Sequence, residues 1–286
     1  VTGAGGYLGS HVVRELVAAR AEVVAAVKRP RGDPAAIVCD LLDQADVERL
    51  ILSERPECVV HCAAEVPSHA AGYSDEQAAH RNAAMVRMLA KVAAGFSPLL
   101  FASSMTVYGL PAERPWVEGD AGDPQSAYGV GKWESERVLA DAGVRALSIR
   151  LPGLFGAPRR SGLVYNTVRA MADGQTPVLP PTPVVWAAIH VKDAARSVAR
   201  AALGVASGAI DPARLTPSAV HVSYAGSYAI DLFVRELAHH YGREVSYSVE
   251  HPRVRFDLSR ATWLGIAPRG SLLAGAASLV SEEFPE

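Results

Sequence analysis

The sequence predicts an α/β fold: a doubly wound parallel sheet covered by helices, with a smaller, discontinuous C-terminal lobe. Three observations predict it. Short apolar, strand-like runs alternate with helical runs over the first half of the chain. A glycine-rich turn opens the chain directly before a helical run. After Leu151 glycine and proline become frequent and the regular alternation stops.

The elements follow in order. Val23–Val27, Ile37–Cys39, Val59–Cys62, Leu99–Ala102 and Ala146–Leu151 read as short buried strands. Between them Ser10–Ala19, Gln44–Ser53, Gln77–Ala94 and Gly129–Ala142 carry helical patterns. A first strand is expected just before Thr2, so the numbering is expected to begin inside it. Pro152–Pro183 is irregular apart from a helical stretch at Val164–Ala172. Ile189–Ala206 returns to a strand end and a helix. Val220–Tyr224 and Val245–Val249 read as further strands around a helix at Ile230–Tyr241. The expected division is a sheet domain over 1–152 and 189–222, with the lobe formed by 153–188 and 223–286.

Composition narrows the function. At 286 residues the chain can bury a large core. A formal charge of −2 gives no general attraction to nucleic acid or anionic membranes. No apolar run reaches the length of about 18 residues that a membrane span needs. Neither nucleic acid nor membrane is therefore an expected partner. Cys39, Cys58 and Cys62 make no disulfide framework or metal motif, and they read as small apolar packing residues. A cytoplasmic location is expected.

The opening turn, Thr2 to Gly9, places glycines at 3, 6 and 9. Glycine permits the tight turn and the close approach of a pyrophosphate. The following helix offers unpaired N–H groups and a positive dipole end to that anion. Asp40-Leu41 follows a short strand, and its carboxylate is placed either to accept from an adenine amine or simply to start a helix. After the next strand upstream come Lys28 and Arg29, where a dinucleotide site selective for NAD usually carries an acid. Two cations there favour a 2′-phosphate, hence NADP, with NAD as the alternative.

Tyr128 and Lys132 lie four residues apart, which on a helix is one face. The chain has four lysines and nine tyrosines, so chance supplies roughly 0.1 such pairs. An ammonium beside a phenol stabilises the phenolate and is expected to draw a pKa of about 10 toward neutrality. Such a tyrosine can exchange a proton with a carbinol oxygen. The alternative is a surface helix carrying two polar residues.

Together these motifs resemble the extended short-chain dehydrogenase/reductases, the group of nucleotide-sugar epimerases, dehydratases and ketoreductases. The likeness also rests on His61-Cys62-Ala63-Ala64, Asn82, Ser103 to Gly109, Arg150 to Gly156, Ile189-His190-Val191 with Asp193, and Phe256 to Ser259. The resemblance implies a Rossmann sheet. It implies Ser104, Tyr128 and Lys132 as the catalytic set, Ser104 holding the substrate oxygen and Tyr128 acting as acid or base. It implies cofactor contacts from Gly3, Gly6, Tyr7 and Leu8, from Lys28, Arg29, Asp40 and Leu41, from Cys62, Ala63, Ala64 and Asn82, from Tyr128 and from Lys132, which would hold the nicotinamide ribose, and from Leu151 and Pro152. Val66, Met105, Thr106, Gly153 and Trp186 would join Ser104 around the substrate. Helix pairing into a homodimer is a further implication, with the Val86–Val92 and Val130–Leu139 stripes as candidate faces.

Departures from the family pattern carry information. Met105 and Thr106 stand where the 4,6-dehydratases place an Asp-Glu pair, which argues against elimination of water. Gly153 replaces an asparagine common in epimerases, and Trp186 replaces the arginine that usually grips a sugar-nucleotide diphosphate. Arg159, Arg160 and Arg255 are candidate substitutes. The expectation is an NAD(P)-dependent oxidoreductase, first an NADPH-dependent ketoreductase of a sugar or nucleotide sugar. The alternatives are a 4-epimerase holding NAD, a reductase of a non-sugar ketone and a non-catalytic cofactor-binding protein. His61, His190, Tyr108 and Trp116 read as structural. The His239-His240 pair and the carboxylates Glu134 and Glu136 read as solvated helix faces.

Overall fold

The computed structural model describes residues 1–30, 35–67, 70–111, 113–215 and 218–283. Eight strands are named in chain order: β1 (Ala26–Val27), β2 (Ile37–Val38), β3 (Val59–His61), β4 (Leu99–Ser104), β5 (Ala146–Leu151), β6 (Gly153–Phe155), β7 (Ala188–His190) and β8 (Ala219–His221). β1 pairs with β2, and β3, β4, β5 and β8 pair in that order, all parallel. Thr2 joins the two groups, because it bridges both Ala26 and His61 in parallel. The result is one sheet ordered β2-β1-Thr2-β3-β4-β5-β8. Its order reverses beside Thr2, the switch point at which such sheets bind ligands beyond their carboxyl ends.

Helices α1 (Tyr7–Ala18), α2 (Gln44–Glu54), α3 (Glu76–Ala93), α4 (Ala127–Asp141), α5 (Leu163–Ala172), α6 (Val191–Ala206), α7 (Ile230–His240), α8 (Ser259–Trp263) and α9 (Leu272–Glu283) surround it. Local chemistry starts several of them. Asp43 accepts from Ala45 and Asp46 N–H, Asp75 from Ala78 N–H and Ser126 from Gly129 N–H, which caps α2, α3 and α4. One core lies between the sheet and α2–α3, around Val47, Val86, Leu89 and Phe101. A second lies under α1 and α6, around Val12, Leu147, Val198 and Val220. A third joins α5, α7 and α9 through Val168, Phe233 and Leu279.

Three sequence expectations are corrected. Val245–Val249 has the predicted alternation, with Val245, Tyr247 and Val249 half-buried and their neighbours exposed, but among the described residues no strand pairs with it to complete a ladder. Gly153–Phe155, expected as irregular, is a strand paired with Ala188–His190. The Val86–Val92 stripe faces inward: Val86, Leu89 and Val92 are buried in the core and are not free for a second copy.

Candidate active site

The opening turn is held by steric need. Gly3 has φ +67°, and a Cβ there would lie 2.6 Å from both N and Cα of Ala63. A Cβ on Gly9 would fall 2.1 Å from the Gly3 carbonyl oxygen. These two glycines let α1 and the loop after β3 close on the turn. Gly6 differs. Its Cβ would meet only the Gly3 oxygen at 3.0 Å, and it stands as N-cap of α1 with no side-chain cap. An open N-terminus on a full-length helix, beside backbone that cannot carry side chains, fits a pyrophosphate. Tyr7 closes one side by donating from its hydroxyl to the Gly156 carbonyl at 2.6 Å. Leu8 packs its side chain into the core, so only its backbone is at the turn.

At the far end Lys28 and Asp40, at the ends of β1 and β2, approach to 3.5 Å. Both are well exposed, as is Arg29. Leu41 belongs to the core beneath them. Beyond β3, Cys62, Ala63 and Ala64 are half-buried, and burial pushes the Cys62 thiol up to about 11. Asn82 holds this loop from α3. Its Oδ1 accepts from Glu65 N–H at 2.8 Å and its Nδ2 donates to the Glu65 carbonyl at 3.0 Å. Asn82 therefore positions the loop, as a support rather than as a lining group.

Tyr128 and Lys132 both stand on α4. The Lys132 ammonium donates to the Ala102 carbonyl at 2.7 Å and lies 4.6 Å from the Phe101 ring centre and 5.7 Å from that of Tyr128. Burial lowers its pKa to about 8, while Cys62 and Glu136 oppose the shift. The Tyr128 phenol is pushed above its ordinary value, first by desolvation and then by Tyr73, whose ring meets it edge-on at 5.7 Å. The expected draw toward neutrality is thus not met in this arrangement. Lys132 is committed to a carbonyl and stands too far off to offset the loss of water.

Glycines again set the clearance. A Cβ at Gly129 would lie 2.3 Å from the Thr106 carbonyl oxygen, and one at Gly131 would lie 2.9 Å from that of Ala79. The helix start bearing the tyrosine and lysine is therefore pressed against the turn that follows Ser104 and against α3. Ser104 ends β4, and its Oγ accepts from the Thr106 N–H at 3.2 Å and from the Thr106 hydroxyl at 3.0 Å. With both acceptor positions used, its own proton is left to donate outward. Leu151 lies beside Ser104 in the sheet, and Leu151 and Pro152 are buried.

The structure corrects one substrate-side expectation, Met105, and gives two others, Thr106 and Trp186, partners within the protein. Met105 is buried in the core, because the tight turn 105–107 points it under the sheet. Thr106 spends its hydroxyl on Ser104. Trp186 packs on Phe233 at 5.4 Å and Tyr228 at 6.5 Å, an aromatic cluster within the lobe. Gly153 and Val66 are exposed. Of the candidate diphosphate cations, Arg255 donates to the Glu113 carbonyl, and Arg159 reaches the Leu154 carbonyl at 3.4 Å.

Glu136 is also corrected, since it is not solvated. It lies four residues after Lys132, accepts from Ser103 at 2.5 Å and pairs with fully buried Arg150 at 2.6 Å. Arg150 also donates to the Tyr108 hydroxyl at 2.5 Å and the Glu118 carbonyl at 3.0 Å, and Tyr108 meets His221 at 2.6 Å. The spacing Tyr128, Lys132, Glu136 is the signal that could have found it, being one helix face. Tyr73 carries no such signal. Glu134 is half-buried, with its side chain reaching solvent, and pairs with Arg87 at 2.9 Å. His61 bonds Thr2 Oγ1 at 2.7 Å, His190 Nδ1 accepts from Lys192 N–H, Trp116 stacks on Tyr108, and His239 and His240 are exposed.

A family model described as the NAD dependent epimerase/dehydratase family matches residues 1–210. Among curated proteins, the methionine adenosyltransferase 2 subunit beta of Danio rerio is 35% identical over 156 residues, 54% of this chain and 47% of that protein. The chain spans about half the length of the curated relatives it matches. Among solved structures, the UDP-glucose 4-epimerase of Thermotoga maritima with UDP-glucose superposes with a TM-score of 0.77 at 21% identity, over 98% of this chain and 96% of that one. The Bordetella bronchiseptica enzyme WbmG in complex with NAD gives 0.78 at 21% identity, over 99% and 93%. At that identity the likeness shows the fold.

Proposed function

This chain belongs to the NAD dependent epimerase/dehydratase family, and we propose on that footing that it is an NAD-dependent oxidoreductase acting on a sugar carbinol, as a nucleotide-sugar 4-epimerase. The observation that supports the reading is the docking of α4 through Gly129 onto the turn after Ser104, which sets the helix start that bears Tyr128 and Lys132 against that turn. When bound, NAD supplies the means of taking a hydride from the carbinol carbon and returning it. Gly3, Gly6 and the start of α1 would hold its pyrophosphate, and Ala63, Ala64, Leu151 and Pro152 would border its nicotinamide end. Ser104 Oγ donates to the substrate oxygen. With the positive charge of the oxidised cofactor beside it, Tyr128 would ionise, and its Oη would take the carbinol proton and give it back, while Lys132 fixes the local field from its seat on the Ala102 carbonyl.

The Lys28–Asp40 pair supports NAD over NADP. A lysine already facing a carboxylate at 3.5 Å offers less to a 2′-phosphate, and the carboxylate repels one. The division into a dinucleotide part over 1–152 and 189–222 and a substrate lobe over 153–188 and 223–286 belongs to this proposal. So does a homodimer, formed on the outer side of the α3–α4 pair where Val130 is 48% exposed. Incubation with UDP-glucose and NAD tests the function: UDP-galactose should form with no net change at the nicotinamide absorbance band. Tyr128→Phe should lower the rate by about 10²–10⁴-fold. Equal turnover in that variant would sink the assignment.

A second reading is NADPH-dependent ketoreduction of a less charged substrate. Gly153 and the aromatic packing of Trp186 favour it, since neither usual diphosphate contact is present. Stoichiometric loss of NADPH with a ketone, and no epimerisation, would select it.

A further inference from the structure

Away from Tyr128, one face of α6 looks onto the segment that runs from the end of α8 through Arg269, and two cavities lie between them. One, about 310 Å³, is lined by Arg200, Gly204, Ile210, Trp263 and Ile266 among others. The second, about 210 Å³, is lined by Asp193, Arg196, Ser197, Arg200, Pro268 and Arg269. Arg200 lines both, so the two adjoin at its side chain and together make a groove with Arg200 at its middle.

The groove is cationic in excess. Asp193 is already engaged by the Tyr224 hydroxyl at 2.5 Å and by Arg196 at 2.9 Å, and Arg196 also reaches Glu15 at 3.7 Å. Arg200 is half-buried and has no ion pair or hydrogen bond among the described residues; exposed Arg269 has none either. Losing hydration without gaining a partner is costly for a guanidinium, and an anion relieves that cost. A second, independent observation points the same way. Ser197 is 1% exposed, lines the groove, and its hydroxyl has no hydrogen-bond partner among the described residues. At the other end Trp263 is 74% exposed over an apolar floor of Ile210 and Ile266. An unpaired cation next to an accessible indole suits a molecule with a phosphate at one end and a flat ring at the other.

We propose that this groove is a nucleotide site separate from the catalytic cleft, the phosphate held by Arg200, Arg269 and the Ser197 hydroxyl and the base laid on Trp263. The test follows the Trp263 indole N–H in ¹⁵N NMR of the intact chain, assigned with Trp263→Phe, with saturating NAD present. AMP should shift that resonance saturably, and adenosine and inorganic phosphate should each act only at higher concentration. Arg200→Ala should weaken AMP by about tenfold, the effect of losing one charged hydrogen bond. Arg269→Ala, at an exposed position, should weaken it without any question of folding. No saturable shift, an AMP response unchanged in both arginine variants, or phosphate acting as strongly as AMP would each overturn the proposal. Because the indole reports only its own surroundings, these outcomes stand whether or not NAD occupies the cleft as proposed above.

Discussion

The Arg150 guanidinium meets the Glu136 carboxylate at 2.6 Å where neither side chain reaches solvent, their exposures being 1% and 7%. Arg150 immediately precedes Leu151 on β5, and Glu136 stands one turn beyond Lys132 on α4. The pair thus ties the strand end proposed to border the nicotinamide to the helix that bears the proton-transfer residues.

Breaking this pair should be severe. Arg150→Met leaves a buried carboxylate alone, and a loss of about 3–5 kcal/mol is expected in urea unfolding. Replacing both partners by apolar residues of similar volume should recover much of that stability. If the double variant proved no more stable than Arg150→Met, the pair could not be the reason for the loss.

Acid should act through His61. Burial, aided by the nearby Lys132 charge, lowers its pKa to about 3, against about 6.5 in an unfolded chain. Between those values the unfolded state binds the extra proton. Stability is therefore complete above about pH 6.5 and falls as pH drops toward 3, by up to about 1.4 kcal/mol per pH unit. Unfolding curves from pH 4 to 7 should show this slope, and His61→Asn should flatten it.

Gly3 and Gly6 should respond differently to alanine. Gly3→Ala meets both a left-handed φ and the Ala63 backbone at 2.6 Å, so a destabilised chain that no longer binds NAD is expected. Gly6→Ala meets a single oxygen at 3.0 Å, so the chain should fold and bind NAD more weakly. Calorimetric titration beside thermal melts separates the two; equal melting temperatures for both variants would contradict the steric account.

Asp40→Asn should free Lys28 from its partner. NADP affinity should rise relative to NAD, as measured by competitive binding. Unchanged relative affinities would mean that this ion pair does not govern the choice.

Most of the sheet was legible because buried parallel strands are short apolar runs and the helices between them are capped and periodic. Gly153–Phe155 escaped because it directly follows Pro152 within a glycine- and proline-rich stretch, and its pairing depends on Ala188–His190, over thirty residues away. Val245–Val249 misled for the opposite reason: alternation reports which side is wet, and a strand also needs a neighbour. Tyr128, Lys132 and Ser104 could be found by spacing and order. The burial of Glu136 depends on Arg150, delivered by another element, and a charged residue in a Glu-Ser-Glu-Arg run gives no local sign of that.

Gly129 and Gly131 have a consequence for anyone who would toughen this protein. Alanine in place of a helical glycine ordinarily stabilises by about 0.4–1 kcal/mol where the backbone permits it, and a survey of this chain for such gains would mark both positions. Here each faces another stretch of main chain at less than a methyl's width. The spacer between Tyr128 and Lys132 behaves as a machined shim: thicken it and the helix start that bears both is pushed off the turn after Ser104 and off α3. The short stretch bearing the chemistry is therefore the part of the molecule that an engineer aiming at heat resistance should leave alone.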